Sequence, residues 1–443
     1  MKKLLALVLA GCMLLALTAC TPKEPEGTGA LTGRAYGYGG VITVEVTMDG
    51  DTITDVVVVS HTETDGISTP AFDAVPAAII EAGTTEGVDI VAEATVTSEA
   101  IIMAVNNAID PVAYPFVEAG IEMPTPEGPV GEIGPGVRLG QAQYAAHGSN
   151  AFANTTVVLD GDVVVAVHID EFQFLAREGN TPVPNGDHET GLGATFINEE
   201  RWLCSKRENN EAYSANMTER GGATYTLLEG YEAIETFCIG KTVAELEAIV
   251  DGTDEDAIAI VDAVASCTLV DARGYIKSVV EAARDAATFE GLEYDGDASE
   301  LKLGVTLYAA HGYYCFTVAA AVVDGDVIVL SYIDEFQVMS GPDIVGVPNS
   351  TTGFVAQYAG GSMLISKKVN DEFYSANMTE RGGATMTLSA GWILIYETVN
   401  GNTIAEVEAL TTTADDVDAI ADCTLVDEKG YMEAIVAAAN VAD

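Results

Sequence analysis

An Asp, an Ala and a Thr recur at fixed spacing three times in this chain. Residues 89–95 read Asp-Ile-Val-Ala-Glu-Ala-Thr, residues 262–268 Asp-Ala-Val-Ala-Ser-Cys-Thr, and residues 418–424 Asp-Ala-Ile-Ala-Asp-Cys-Thr. Thr95, Thr268 and Thr424 each stand just ahead of an apolar helical run. A hydroxyl at that position meets amide N–H groups with no partner inside the helix, together with the positive end of the helix dipole. This is chemistry suited to a phosphate. Small residues at Ala92 and Ala94 leave room for a phosphate to approach the backbone. Capping is the structural alternative for two of the three. Thr268-Leu-Val-Asp271 and Thr424-Leu-Val-Asp427 each place an acid three residues after a capping hydroxyl. Thr95 has Ser98 at that offset, so a capping box does not explain it.

A second set of polar residues recurs in the later part of the chain. Residues 213–227 match residues 374–388 at 14 of 15 places, differing only at Tyr225 and Met386. The shared stretch contains Asn-Met-Thr-Glu-Arg-Gly-Gly-Ala-Thr, with Arg220 and Arg381 at equivalent places. As a binding loop it would offer each Arg to a phosphate or carboxylate. As structure it would form an Arg–Glu tie, or pair the Arg with the carboxylates of Ile-Asp-Glu-Phe-Gln, which stands at 169–173 and again at 333–337. Tyr-Ala-Ala-His-Gly likewise occurs at 144–148 and 308–312. A spacing of about 160 residues is too long for a solenoid unit and indicates duplicated domains.

These chemical groups need elements to hold them. Ile42, Val44, Val46 and Met48 alternate with polar residues, Asp49-Gly50 makes a turn, and a second strand follows over Ile53 to Val59. Helices are predicted over 71–82, with Pro76 shortening or kinking the first, and over 98–109, with Thr97 or Ser98 as N-cap. Six prolines between Pro111 and Pro135 interrupt both periods, and 110–134 reads as a linker. The predicted organisation is a leader over 1–19, a tether over 20–27 and a first module over 28–109. The linker and two long repeats, 135–290 and 295–443, follow. The predicted class is α+β: three modules with small antiparallel sheets and packed helices, the last two an internal duplication.

The first module resembles the FMN-binding domain family. Its Asp89-to-Thr95 segment is similar to the family's flavin-attachment motif, Asp-x-x-(Ser/Thr)-Gly-Ala-Thr, in which the last Thr carries FMN through a phosphoester. His61-Thr-Glu63-Thr-Asp65-Gly66 is similar to the family's His-x-Glu-Thr-Pro-Gly, with Asp65 in place of Pro. Thr95-Val-Thr-Ser98 resembles the family's junction with the following helix, and Gly37-Tyr-Gly-Gly40 precedes the strand. The resemblance implies FMN as cofactor, with Thr95 as attachment point and Asp89, Ala94, His61, Glu63, Gly66 and Ser98 around it. Thr268 and Thr424 are the corresponding positions in the degenerate repeats, and Thr224 and Thr385 are further candidates. The chain departs from the motif at Ala92-Glu93, Ala265-Ser266 and Ala421-Asp422, where Ser/Thr-Gly is usual. Members include flavin subunits of sodium-pumping NADH:quinone reductase and Rnf complexes. Multi-domain surface lipoproteins of electron transfer are the closest in layout.

The front of the chain bears on location. Lys2 and Lys3 lead an apolar stretch too short to span a bilayer, ending in Leu17-Thr18-Ala19-Cys20. This resembles a bacterial lipobox, which implies lipidation of Cys20 and a tether to the outer face of the cell membrane. Formal charge is −49, from 19 Lys and Arg against 68 Asp and Glu, which disfavours nucleic acid as a partner. Cys204, Cys238, Cys267, Cys315 and Cys423 have no close spacing and read as small buried hydrophobes. The implied partners are an FMN transferase, a membrane reductase or quinone-linked donor, and the membrane through the lipid. Two other functions fit the residues: a non-redox lipoprotein whose modules bind ligands or adhere, and an accessory flavin subunit of a reductase.

Overall fold

The computed structural model describes residues 30–442 except 38–39, 62, 64–65, 67, 93, 115, 117–120, 127, 190, 197, 253–268, 270, 352–353, 355–360, 414–419 and 421–422. Cys20, Thr268, Cys267, Glu93 and Asp422 therefore lie outside the described residues, as do the leader and tether. No helix among the described residues is long and apolar enough to cross a membrane.

Alternation of side chains builds the first sheet. Ile42, Val44 and Val46 are fully buried on one face of it. Its strands β1 (Leu31–Tyr36), β2 (Val41–Asp49) and β3 (Thr52–Ser60) lie in that order, antiparallel. The β2–β3 turn uses Gly50 at φ 61°, where glycine costs nothing. The predicted hairpin is present, whereas β1 had not been anticipated. Helix α1 (Thr69–Ala82) continues through the buried Pro76 and ends at Gly83 in the left-handed region. Helix α2 (Thr95–Ile109) begins three residues earlier than the sequence indicated. Ser98 is not its cap: its hydroxyl donates to Ala94 O at 2.8 Å and accepts from Val91 N–H at 3.1 Å. The proline-rich stretch holds a two-residue strand, β4 (Ile121–Glu122).

The repeats follow one plan. The first has the antiparallel sheet β5 (Val137–Tyr144), β6 (Ala151–Asp160), β7 (Val163–Ala176) and β8 (Arg201–Ser205). Helices α3 (Asn210–Gly221), α4 (Leu227–Cys238), α5 (Val243–Asp251) and α6 (Ala272–Ala286) belong with it. The second has β9 (Lys302–Tyr308), β10 (Cys315–Asp324), β11 (Val327–Ser340), β12 (Val345–Gly346) and β13 (Ser362–Ser366). Its helices are α7 (Asp371–Gly382), α8 (Leu388–Val399), α9 (Ile404–Thr413) and α10 (Glu428–Asn440). Strand β4 pairs parallel with β12, so the linker joins the last sheet. The class is α+β, as predicted.

One packing device occurs in all three units. The closing helix of each lies on the first strand at a glycine. A β-carbon on Gly33 would overlap the backbone of Ala104 and Ala108 in α2. One on Gly140 would overlap Ala282 and Ala286 in α6, and one on Gly304 would overlap Ala438 in α10. Small residues on both sides let two backbones approach within van der Waals distance, and any added atom must displace a main chain.

The repeats face each other across an aromatic core. Phe152 and Phe172 of one meet Phe316 and Phe336 of the other, with centroid separations of 5.3–6.2 Å for the pairs 152–336, 172–316 and 172–336. Two asparagines close the joint reciprocally. Asn185 donates to Gly312 O and Cys315 O, and Asn349 donates to Gly148 O and Ala151 O. Both adopt positive φ, 61° and 66°, a conformation Asn tolerates well.

Each repeat also buries an ion pair. Lys206 pairs with Glu171, and Lys367 with Glu335 at 2.5 Å, all four side chains being almost completely inaccessible. Tyr275 and Tyr431 each donate to the same carboxylate at 3.0 Å. These are the glutamates of Ile-Asp-Glu-Phe-Gln, so their partners are lysines and tyrosines. The Arg–Glu pairing considered from sequence does not form among the described residues. Burial opposes the Lys367 ammonium, but the Glu335 carboxylate beside it raises its pKa overall. Burial likewise pushes up the thiols of Cys204 and Cys238, both to about 12.

Two outcomes follow. Gly304→Ala should destabilise the protein by about 1–3 kcal/mol, because overpacking here moves backbone. Glu335→Gln should cost about 3–5 kcal/mol, because it strands a buried ammonium. Denaturant unfolding of each variant measures both.

Candidate functional site

The site at the start of α2 is built by what that helix lacks. Its first residue is Thr95, an exposed side chain, and its N-cap position is the buried Ala94. Ala94 has no side chain able to accept a hydrogen bond, so the first-turn N–H groups receive none from a cap. Among the described residues, the backbone hydrogen bond that closes this turn is Ser98 N–H to Ala94 O, at 2.9 Å. An exposed hydroxyl therefore stands beside unfilled donors at the positive end of a 15-residue helix. The dipole and donors favour an anion, and the hydroxyl offers an oxygen for a bond to it.

The next helical turn is fixed from below. Thr97 donates its hydroxyl hydrogen bond to the carboxylate of Glu63, and both side chains are buried. Gly37 passes so close to this carboxylate that a β-carbon there would collide with it. The structure thus brings Glu63, Thr97, Ser98 and Ala94 together under Thr95. Other predicted residues lie further out. His61 stacks on Phe72 with centroids 4.0 Å apart. Gly66, at φ 85°, donates its N–H to Thr69 Oγ1. Asp89 is exposed, and no contact to Thr95 is seen among the described residues. The sequence reading did not pick Thr97 as a partner of Glu63 or Gly37 as the residue that admits it.

The repeats arrange the corresponding region differently. Thr424 is exposed and stands ahead of α10, but it does not cap that helix. Asp427 occupies the cap position, as Asp271 does for α6. Neither makes a side-chain cap bond, because each carboxylate is taken by a histidine. Asp271 holds His147 Nδ1 at 2.6 Å, and Asp427 holds His311 Nδ1 at 2.5 Å. The capping explanation for Thr424 is thereby replaced by a His–Asp pair, which sequence reasoning missed. Its signal was the matching Tyr-Ala-Ala-His-Gly in both repeats.

The Arg-containing stretch is the end of a helix rather than a loop. Arg220 and Arg381 lie in the last turns of α3 and α7, which stop at the left-handed Gly222 and Gly383. Both are exposed, and neither has an ion pair among the described residues. Thr224 and Thr385 are also exposed, just beyond that stop, and Thr226 and Thr387 cap the next helices.

Comparison with known proteins bears on the first site. Residues 37–110 match the model of the FMN-binding domain. A stretch of 83 residues is 41% identical to an NADH:acrylate oxidoreductase of Vibrio harveyi, covering 19% of this chain and 8% of that protein. A longer stretch is 34% identical over 190 residues to a urocanate reductase of Eggerthella lenta, covering 37% of this chain and 31% of the relative. An uncharacterised protein of Treponema pallidum is 40% identical over 90 residues, 24% of its length. The chain thus spans less than a third of each of these relatives. The local structure fits the phosphate end of FMN: an exposed Thr hydroxyl, open helix donors and a small neighbour at Ala94. Residues 37–110 are an FMN-binding domain, and its cofactor is FMN.

Proposed function

We propose that this chain relays electrons through FMN esterified to Thr95, on the outer face of a membrane to which Cys20 is lipid-anchored. The observation that carries the reading is the exposed Thr95 hydroxyl at an uncapped helix start inside the matched domain. Bound FMN supplies electron transfer at its isoalloxazine ring. The chain contributes attachment and position. Thr95 Oγ would form the O–P bond as the bond from that phosphorus to the leaving group of the transferase's flavin donor breaks, the Thr proton passing to that leaving group, and the first-turn N–H groups of α2 would hold the phosphate oxygens. The buried Glu63–Thr97 hydrogen bond locks that turn against the 61–68 segment. Outside a cell a dissociable cofactor is lost by dilution, so a covalent bond has an evident use. An FMN transferase would make the ester, and a membrane reductase or quinone-linked donor would supply electrons.

A second reading is an accessory flavin subunit of a reductase. It is favoured by the oxidoreductase names of two relatives. Acrylate and urocanate belong to those proteins and are not carried over, because the matched stretches are minor parts of them. Turnover of such an acceptor by the purified chain, given an artificial donor, would favour this reading over a relay.

The expected result for the full chain co-expressed with an FMN transferase is a fluorescent band after denaturing electrophoresis. Thr95→Val keeps the shape and removes the hydroxyl, so the band should be lost or reduced by one flavin equivalent, with unchanged unfolding. A non-fluorescent wild-type band would remove the covalent relay.

A further inference from the structure

We infer that the chain binds a small organic ammonium, an amine with an apolar body, in a cavity where the linker meets both long repeats. The cavity measures about 390 Å³. Gln141 on β5 and Glu281 and Asp285 on α6 line it from the first repeat. Asp334 on β11 and Lys368, just beyond β13, line it from the second. Pro124 and Pro126 of the linker form the remaining wall. This stretch is tied down on both sides. Met123 donates its N–H to Gly346 O at 3.0 Å in the second repeat, and Val130 donates its N–H to Glu247 Oε1 at 2.5 Å in the first. The prolines between them have a fixed φ, which stiffens the span.

Two buried acceptors on the lining side chains have no hydrogen-bond partner. Glu281 is 4% exposed; its Oε2 accepts from Arg284 Nε–H at 2.9 Å, while Oε1 accepts from nothing and lies 3.6 Å from the Lys277 ammonium. Gln141, also 4% exposed, donates from Nε2 to Thr156 Oγ1 at 3.0 Å and leaves Oε1 unbonded. A buried acceptor without a donor is destabilising, so a ligand that donates to both recovers what the fold alone forgoes. The second repeat shows that packing does not demand these side chains. Gly140 and Gly304 hold equivalent places against Ala282 and Ala438, which fixes the register between the repeats. In that register Gln141 corresponds to Val305, Gln143 to Leu307, Glu281 to Ala437 and Asp285 to Val441. All four positions are apolar in the second repeat and polar in the first, where the linker lies.

Charge selects the ligand. The carboxylates of Glu281, Asp285 and Asp334 line the cavity against the cations of Arg284 and Lys368. Both cations are engaged. Arg284 donates to Glu281 and to the carbonyls of Gly128 and Pro129, and Lys368 donates to Asp285 at 2.6 Å and to Tyr332 OH. The open positions are therefore acceptors beside an excess of negative charge, which an ammonium matches with its N–H donors. A metal ion fits less well, since no group of three or more His, Cys, Asp or Glu side chains able to hold one occurs among the described residues. Met123, Ala142 and Val369 add apolar wall. An apolar cavity of ~150 Å³ holds benzene, so the space admits one ring on a short chain.

The test titrates the full-length chain with 4-fluorophenethylamine, followed by fluorine NMR. It is run at about pH 8, where the amine is protonated and Asp334, its carboxyl pushed up to about 6 by burial, is ionised. Saturable binding at one site per chain is expected, with 4-fluorophenethyl alcohol, the neutral counterpart, binding about tenfold more weakly. Glu281→Gln should weaken amine binding about tenfold. Val369→Trp enlarges the wall at a position that is 43% exposed, so the core is untouched, and it should block the cavity. That variant decides alone if Glu281→Gln does not fold. Absence of saturable binding, or amine binding unchanged by the substitutions, overturns the inference, as does equal binding of the alcohol.

Discussion

Backbone-to-backbone contact at a glycine is the constraint on which the three units rest. Gly33, Gly140 and Gly304 each sit in the first strand of their own unit, and each admits the closing helix where a side chain would push it away. The helix then has a single allowed height above the sheet. Its N-terminus carries Thr95 in the first unit and Asp271 or Asp427 in the repeats, so the glycine sets their position. A second glycine near the start of the repeat helices tightens this further. Gly274 and Gly430 lie against the carbonyls of Ala146 and Ala310. That contact brings His147 and His311 beside their aspartates.

The units share this scaffold but spend their polar groups differently. In the first, the buried acid Glu63 accepts from Thr97 and braces the helix turn, leaving Thr95 open. In the repeats, the buried acids Glu171 and Glu335 meet a lysine and a tyrosine each. A buried charge is tolerated only when paired and hydrogen-bonded. The repeats meet that condition with a Lys–Glu–Tyr cluster, and in the first unit the Thr97 hydroxyl is one partner of Glu63 under the helix start. The same scaffold thus carries an uncapped helix start once and a buried Lys–Glu–Tyr cluster twice.

How much of this was legible depends on whether the signal is local. The β2–β3 hairpin was readable because Ile42, Val44 and Val46 alternate strictly and a Gly follows at the turn. Strand β1 was not, because Gly33 and Arg34 break its apolar pattern, and Gly33 is there for helix contact rather than for strand propensity. The α2 boundary was misplaced because Thr97 and Ser98 have the composition of caps, while their hydroxyls serve Glu63 and Ala94. Thr424 misled in the same way: the Thr-x-x-Asp spacing is present, but His311 claims the Asp. The His lies more than 110 residues earlier in sequence, out of reach of any local rule. The four-Phe joint between repeats is equally non-local. The buried lysines could have been found, since Ser205-Lys206 and Ser366-Lys367 repeat exactly as the Asp-Glu pairs do.

Thr95 is the residue on which the proposed relay turns. Its exposure, the uncapped first turn around it and the FMN-binding domain match all concern one hydroxyl. Tandem mass spectrometry of peptides from the full chain, co-expressed with an FMN transferase, locates the ester directly. FMN is expected on the peptide containing Thr95. FMN found on the peptides of Thr224, Thr268, Thr385 or Thr424, with the Thr95 peptide unmodified, would contradict the assignment.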